Sequence, residues 1–177
     1  MPQASRLFAF TSWVLKAATF LTTAIAAILV LCLGALLLAG IGMFHIPIPA
    51  DVLKGADMGE VLVAAAMVIM AAGVVMALVA LVLVLISRIV ASAMAGDPFV
   101  VKNAARLNGI GLLLLAIQGV GLITGIAISA FPAPISKDLN FGFDVSLSGL
   151  FSAMLVFVLA QIFRHGSQMR DELDGTI

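Results

Sequence analysis

Asp57 and Glu60 stand three residues apart at the start of a long apolar run, and Met67, Met70 and Met76 follow within it. His45 lies between Phe44 and Ile46 at the end of an earlier run, which also holds Cys32. Paired carboxylates can share a proton or a cation, a histidine titrates near neutral pH, and thioethers bind copper(I). The spacings favour simpler roles. Asp-x-x-Glu ahead of an apolar run is a capping-box pattern that serves the first turn of a helix. A lone histidine between two apolar residues reads as an interfacial side chain. The methionines lack a dense Met-His motif and suit irregular packing. Two histidines and one cysteine cannot close a metal site, and a single cysteine forms no intrachain disulfide. No nucleophile stands beside a base. The residues therefore predict a non-enzymatic protein that calls for no cofactor and no metal.

One group has a different chemistry. At helical spacing Phe99, Lys102, Asn103 and Arg106 fall on one stripe, with Val100, Val101, Ala104, Ala105 and Leu107 opposite. An aromatic ring beside two cations has two readings. The ring can sit among headgroups while Lys102 and Arg106 meet anionic lipid. Alternatively, it is a docking knob for a protein partner.

The elements that must carry this stripe belong to a membrane. The chain has 177 residues, 63% hydrophobic and 10% charged, against about 25% charged in soluble domains. Four stretches, Ala17–Phe44, Val61–Ile86, Leu107–Ala130 and Val145–Phe163, contain no Asp, Glu, Lys or Arg. Uncharged runs of about 18 residues or more read as membrane-spanning helices. The first is far longer than a signal-peptide core, so a retained helix is expected. The predicted fold is all-α: one polytopic domain over 1–177 with four transmembrane helices in an up-down bundle. Its spans are about 17–44, 61–90, 105–130 and 147–164, with an elbow at 91–104 and a tail at 165–177.

Charge orients it. Arg6, Lys16, Arg88, Lys102, Arg106, Arg164 and Arg170 flank the spans on one side, and only Lys54 and Lys137 on the other. The positive-inside rule then puts both termini and the elbow in the cytoplasm, and Trp13 suits an interfacial anchor. A net charge of zero gives no reason to expect direct nucleic-acid binding.

The elbow reads "AGDPFVVKNAARLNGIG". Gly96 is placed to end one helix in a left-handed conformation. Asp97 is a strong N-cap residue and Pro98 suits the first helical position after it. In span three Gly121 and Gly125 form a small-xxx-small pair that lets another helix approach, in packing or dimerisation. Gln118 nearby, Gln161 in span four, and Thr19 with Thr23 in span one offer hydrogen bonds between helices. None of these is ionisable, which argues against a coupled transporter. Outside the spans, "NFGFDVSLS" (140–148) alternates with period two and "FHIPIPADV" alternates isoleucine with proline. Either a small extended extracytoplasmic cap or an irregular start to span four fits.

The motif "GDPF" followed by "NAARLNGIG", on the second cytoplasmic segment of a four-helix membrane protein, resembles the bacterial family of domain of unknown function 2975. The tail "AQIFRHGSQMRDELDGTI" is similar to that family's ending. The resemblance covers nearly the whole chain and implies a bacterial inner-membrane protein, often encoded beside a small helix-turn-helix regulator. It carries over no catalytic residue, and the short outer loops with few charges are a mild departure.

The expected function is thus a regulatory or sensory membrane component. Phe99, Lys102, Arg106, Thr176 and Ile177 would meet a cytoplasmic partner such as that regulator. The alternative is a small-molecule or lipid-binding protein, or a transporter subunit, with a cavity around Gln118. A homo-oligomer comes third.

Overall fold

The structure, a computed structural model, describes residues 2–43, 57–133, 135–136 and 145–174, with the side chains of 2–10 and 171–174 excepted. Helix α1 spans Pro2–Gly40, α2 Met58–Met94, α3 Val101–Ser129 and α4 Leu147–Asp174. Each is long and apolar enough to cross a membrane. No strand occurs among the described residues. Phe20 (76% exposed), Leu31 (73%), Ile123 (69%) and Leu155 (65%) turn large apolar side chains outward. Water would penalise that burial pattern heavily, whereas lipid tails do not.

Local chemistry sets the helix ends. α1 and α2 both stop in a Schellman motif. In α1, Met43 N–H donates to Leu38 O (3.1 Å) and Gly42 N–H to Ala39 O (3.0 Å), with Gly42 at φ 81°. In α2, Asp97 N–H donates to Ser92 O (3.2 Å) and Gly96 N–H to Ala93 O (3.1 Å), with Gly96 at φ 89°. Both motifs place glycine where a side chain would strain the backbone. Asp57 caps α2, its Oδ2 accepting from Gly59 N–H at 3.0 Å. Ser146 precedes α4, its Oγ in a long contact with Gly149 N–H at 3.4 Å.

Three expectations about boundaries change. Asp97 and Pro98 do not open α3, which begins at Val101. The Asp97 carboxylate instead meets Arg170 of α4. The elbow is accordingly shorter than 91–104, lying between Met94 and Val101. The expected tail at 165–177 is helical as far as Asp174. His45, the whole "FHIPIPADV" stretch (44–52), and 140–144 of the period-two stretch lie outside the described residues, so the suggested cap does too.

Contacts divide the chain into two compact units. One comprises Met1–Thr22, Leu78–Ala116 and Ser146–Ile177, and the other Thr23–Ala77 and Ile117–Val145. The first holds seven of the nine Lys and Arg residues. Its core is Leu107, Ile110 and Ala160, packed by Leu85, Ile86 and Ile89 of α2 and by Val156 and Phe163 of α4. The second buries Ala64, Ala71, Thr124, Ile128 and Ile135.

Within the first unit, α2 and α3 run antiparallel. Leu85 packs near Gly109, Arg88 meets Arg106 and Ser92 meets Asn103. α4 lies against α3 through a contact with no slack. A Cβ built on buried Gly111 would stand 2.7, 2.8 and 3.0 Å from three ring atoms of Phe157. A close approach thus falls at Gly111, while Gly121 and Gly125, expected to admit another helix, are half-buried. The Thr19 hydroxyl donates to Leu15 O of its own helix at 2.8 Å.

Candidate functional site

The polar side chains of the first unit meet where the elbow joins α3 and α4. Asn103 is at their centre and is fully buried. Its Nδ2 donates to Ser92 Oγ (2.6 Å) and Pro98 O (2.8 Å). Its Oδ1 accepts from Arg106 Nη1 at 2.8 Å. The same nitrogen donates to Arg88 O at 3.0 Å, and Ser92 Oγ donates to Ile89 O at 2.8 Å. One amide thus joins the end of α2, the elbow and the first turns of α3. With every described buried side-chain polar atom satisfied, the network fixes the elbow instead of straining it.

A second set of contacts locks the elbow to α4. The Phe99 ring lies 5.2 Å, centroid to centroid, from that of Phe163, at a tilt of 38°. That separation is within the favourable range for an aromatic pair. Its Cδ1 would be 2.9 Å from a Cβ at Gly166, so only glycine admits the ring in its present place. Ser167 is buried beside it and turns its hydroxyl back to Arg164 O at 2.8 Å. Arg170 closes the end with its ion pair to Asp97.

This arrangement redistributes the expected stripe. The stripe assumed helical register from Pro98, but Phe99 precedes α3, so its direction does not follow α3's period. Phe99 is 42% exposed and presses its inner face on α4. Asn103 turns inward, and Arg106 is half-buried and spent on internal acceptors. Ala104 and Leu107 are buried as the opposite face requires, whereas Val101 and Ala105 are exposed. Lys102 remains exposed. Thr176 and Ile177 lie outside the described residues. Gln118 is half-buried in the second unit. The cavity found in that unit, about 230 Å³, is lined by Met67, Met70, Val74, Val120, Ile123 and Thr124 among others, and not by Gln118. Its one hydroxyl, on Thr124, is tied to Val120 O at 2.7 Å.

Sequence reasoning missed Gly111, Gly166, Phe157, Phe163, Ser92 and Arg170 as partners. One signal was available: Gly166-Ser167 is a small pair in a helix otherwise rich in bulky residues. No group of three or more His, Cys, Asp or Glu side chains gathers as metal ligands among the described residues.

Four membrane-crossing helices, with a polar assembly at the cation-rich ends of three of them, define a multi-pass integral membrane protein. Residues 45–177 match the model of a protein family of unknown function, DUF2975, and the chain belongs to that family. No curated protein and no solved structure matches it.

Proposed function

We propose that the chain is a non-enzymatic regulatory or sensory component of a bacterial inner membrane. Its elbow and the end of α4 face the cytoplasm and dock a protein partner. The observation that carries this reading is apolar surface beyond the spans. Met94 (50% exposed), Phe99 (42%) and Met169 (61%) lie on the adjoining end of α2, the elbow and α4. At 1.5 Å per residue, Met94 is about 12 Å past Ile86 and Met169 about 9 Å past Phe163, where the uncharged runs stop. The headgroup layer is only about 5–7 Å thick on each side. Lipid tails therefore do not cover Met94 and Met169, which stand exposed on a rigid support, with Phe99 held against Phe163 at the membrane edge. Arg164, exposed on α4, adds positive charge near it and favours a partner with an acidic rim. Thr176 and Ile177, which follow in the sequence, are assigned to the same partner. The family's association with a small helix-turn-helix regulator supplies the partner class.

The test is crosslinking in cells followed by purification from detergent. Wild type should retain one cytoplasmic protein. Met169→Glu and Arg164→Glu should lose it while keeping their melting behaviour, because both side chains are exposed. Retention of the same protein by both variants, or none retained by wild type, contradicts the reading. The rival reading, a ligand carrier, has the apolar cavity of the second unit in its favour. That cavity is small for a ligand site and lacks the converging polar groups that orient one.

A further inference from the structure

We propose that Arg88, Lys102 and Arg106 form a binding site for the phosphate of an anionic glycerophospholipid, on the flank shared by α2 and α3. The inference goes beyond partner docking and uses other residues, so either can fail alone.

The site is built around an arginine already held in position. Arg106 Nη1 spends its two hydrogens on Arg88 O and Asn103 Oδ1. Asn103 is itself fully buried and fixed by Ser92 Oγ and Pro98 O. Among the described residues no acceptor meets the remaining Nε–Nη2 edge. That edge presents two parallel donors, the geometry that takes phosphate oxygens in pairs. Because the protein fixes the guanidinium, little side-chain freedom is lost on binding.

Two more cations border it. Arg88, whose carbonyl anchors Arg106, has an exposed side chain, and exposed Lys102 lies one turn before Arg106 on α3. Asp97 is the one acid of this unit whose side chain is described, and it is paired with Arg170. The charge on the flank is therefore positive and complementary to a phosphate.

The depth suits a lipid. Arg88 and Arg106 are the first charges past the uncharged stretches of their two helices, so both stand at the headgroup level. Beneath them on the same helix faces, seven residues further into the spans, lie Leu81 and Leu113. Leu81 is exposed and Leu113 half-buried, which leaves apolar surface for acyl chains under the phosphate. A soluble phosphate would use the cations but gain nothing from these leucines.

The experiment titrates phosphatidylglycerol into the purified full-length chain in neutral detergent and counts bound lipid by native mass spectrometry, with phosphatidylcholine as the zwitterionic comparison. Wild type should bind phosphatidylglycerol in preference, and inorganic phosphate should not displace it. Each surface cation near an anionic headgroup is worth about fivefold in affinity, so Arg88→Gln with Lys102→Gln should weaken binding about 25-fold. Both side chains are exposed, so this variant keeps its fold. Arg106→Lys keeps the charge but not the fork and should also bind more weakly. Arg164→Gln removes one charge from α4 and should leave the affinity within about twofold of wild type. Unchanged affinity in the Arg88 and Lys102 double variant overturns the site. So does an equal loss in Arg164→Gln, which would mean diffuse attraction, or displacement by inorganic phosphate, which would mean an anion site with no lipid specificity.

Discussion

Alanine at Gly111 adds one methyl group at the tightest place found between α3 and α4. Its Cβ would stand 2.7 Å from Phe157 Cε1 and 2.8 Å from Cζ, against about 3.5–4.0 Å for carbon atoms at rest. Relief needs a shift of about 1 Å. Phe157 is half-buried in α4 and Gly111 is buried, so the helices must part instead of one ring swinging away. Overpacking of this kind costs about 1–3 kcal/mol, while replacing glycine inside a helix returns about 0.5–1 kcal/mol. The expected net loss is about 1 kcal/mol, within a span of about 0–2.5 kcal/mol. Gly119 lies on the same helix with no atom within 4 Å of its would-be Cβ. Gly119→Ala should therefore be neutral or stabilising by up to about 1 kcal/mol. Denaturation in detergent, followed by circular dichroism, compares the two. Adding Phe157→Leu to Gly111→Ala should recover part of the loss, because leucine removes the ring atoms in conflict. If Gly111→Ala is as stable as Gly119→Ala, the close approach of α3 and α4 is wrong.

Four further outcomes follow from the same geometry. Asn103→Leu should destabilise by about 2–4 kcal/mol in the same denaturation assay, since it strands Arg106 and the Pro98 carbonyl; a loss under about 0.5 kcal/mol would show that the network is not formed. Gly96→Val should melt well below Gly96→Asn, because asparagine tolerates positive φ and a β-branched residue does not; equal melting points would contradict the left-handed turn. A double-mutant cycle on Asp97→Ala and Arg170→Ala should give a coupling of about 0.2–1 kcal/mol that shrinks in high salt, as suits an exposed ion pair; a coupling of zero would leave α4 without that link. In a Cys32→Ser background, Ala95→Cys and Met43→Cys should react with an impermeant thiol reagent from opposite sides of the membrane, and labelling of both in intact cells would refute the orientation.

The four helices were legible because lipid leaves a coarse signature: long uncharged runs need no knowledge of what packs on what. The Gly96 turn was legible for a related reason, since a left-handed residue is a local demand. The interior of the elbow was not. Asn103 looks like surface between Lys102 and Ala104 until Ser92 and Pro98 are brought to it from another helix and the preceding turn. Asp97 carries strong cap propensity, but Arg170, 73 residues away, takes its carboxylate. Phe99 was read in the register of a helix that begins two residues after it. The glycines illustrate the same limit. Gly121 and Gly125 carry the familiar spacing, but no spacing announces Gly111 or Gly166, where a facing ring decides that glycine is needed.

We propose that the elbow and the end of α4 face the cytoplasm as one docking platform. Its most direct test places a photocrosslinking side chain at Met94 and at Met169, one at a time, with Met43 as the comparison at the far end of α1, and irradiates intact cells. The same discrete cytoplasmic-protein adduct is expected from Met94 and Met169 and none from Met43. Adducts to lipid alone from Met94 and Met169, or the same protein captured from Met43, would contradict it.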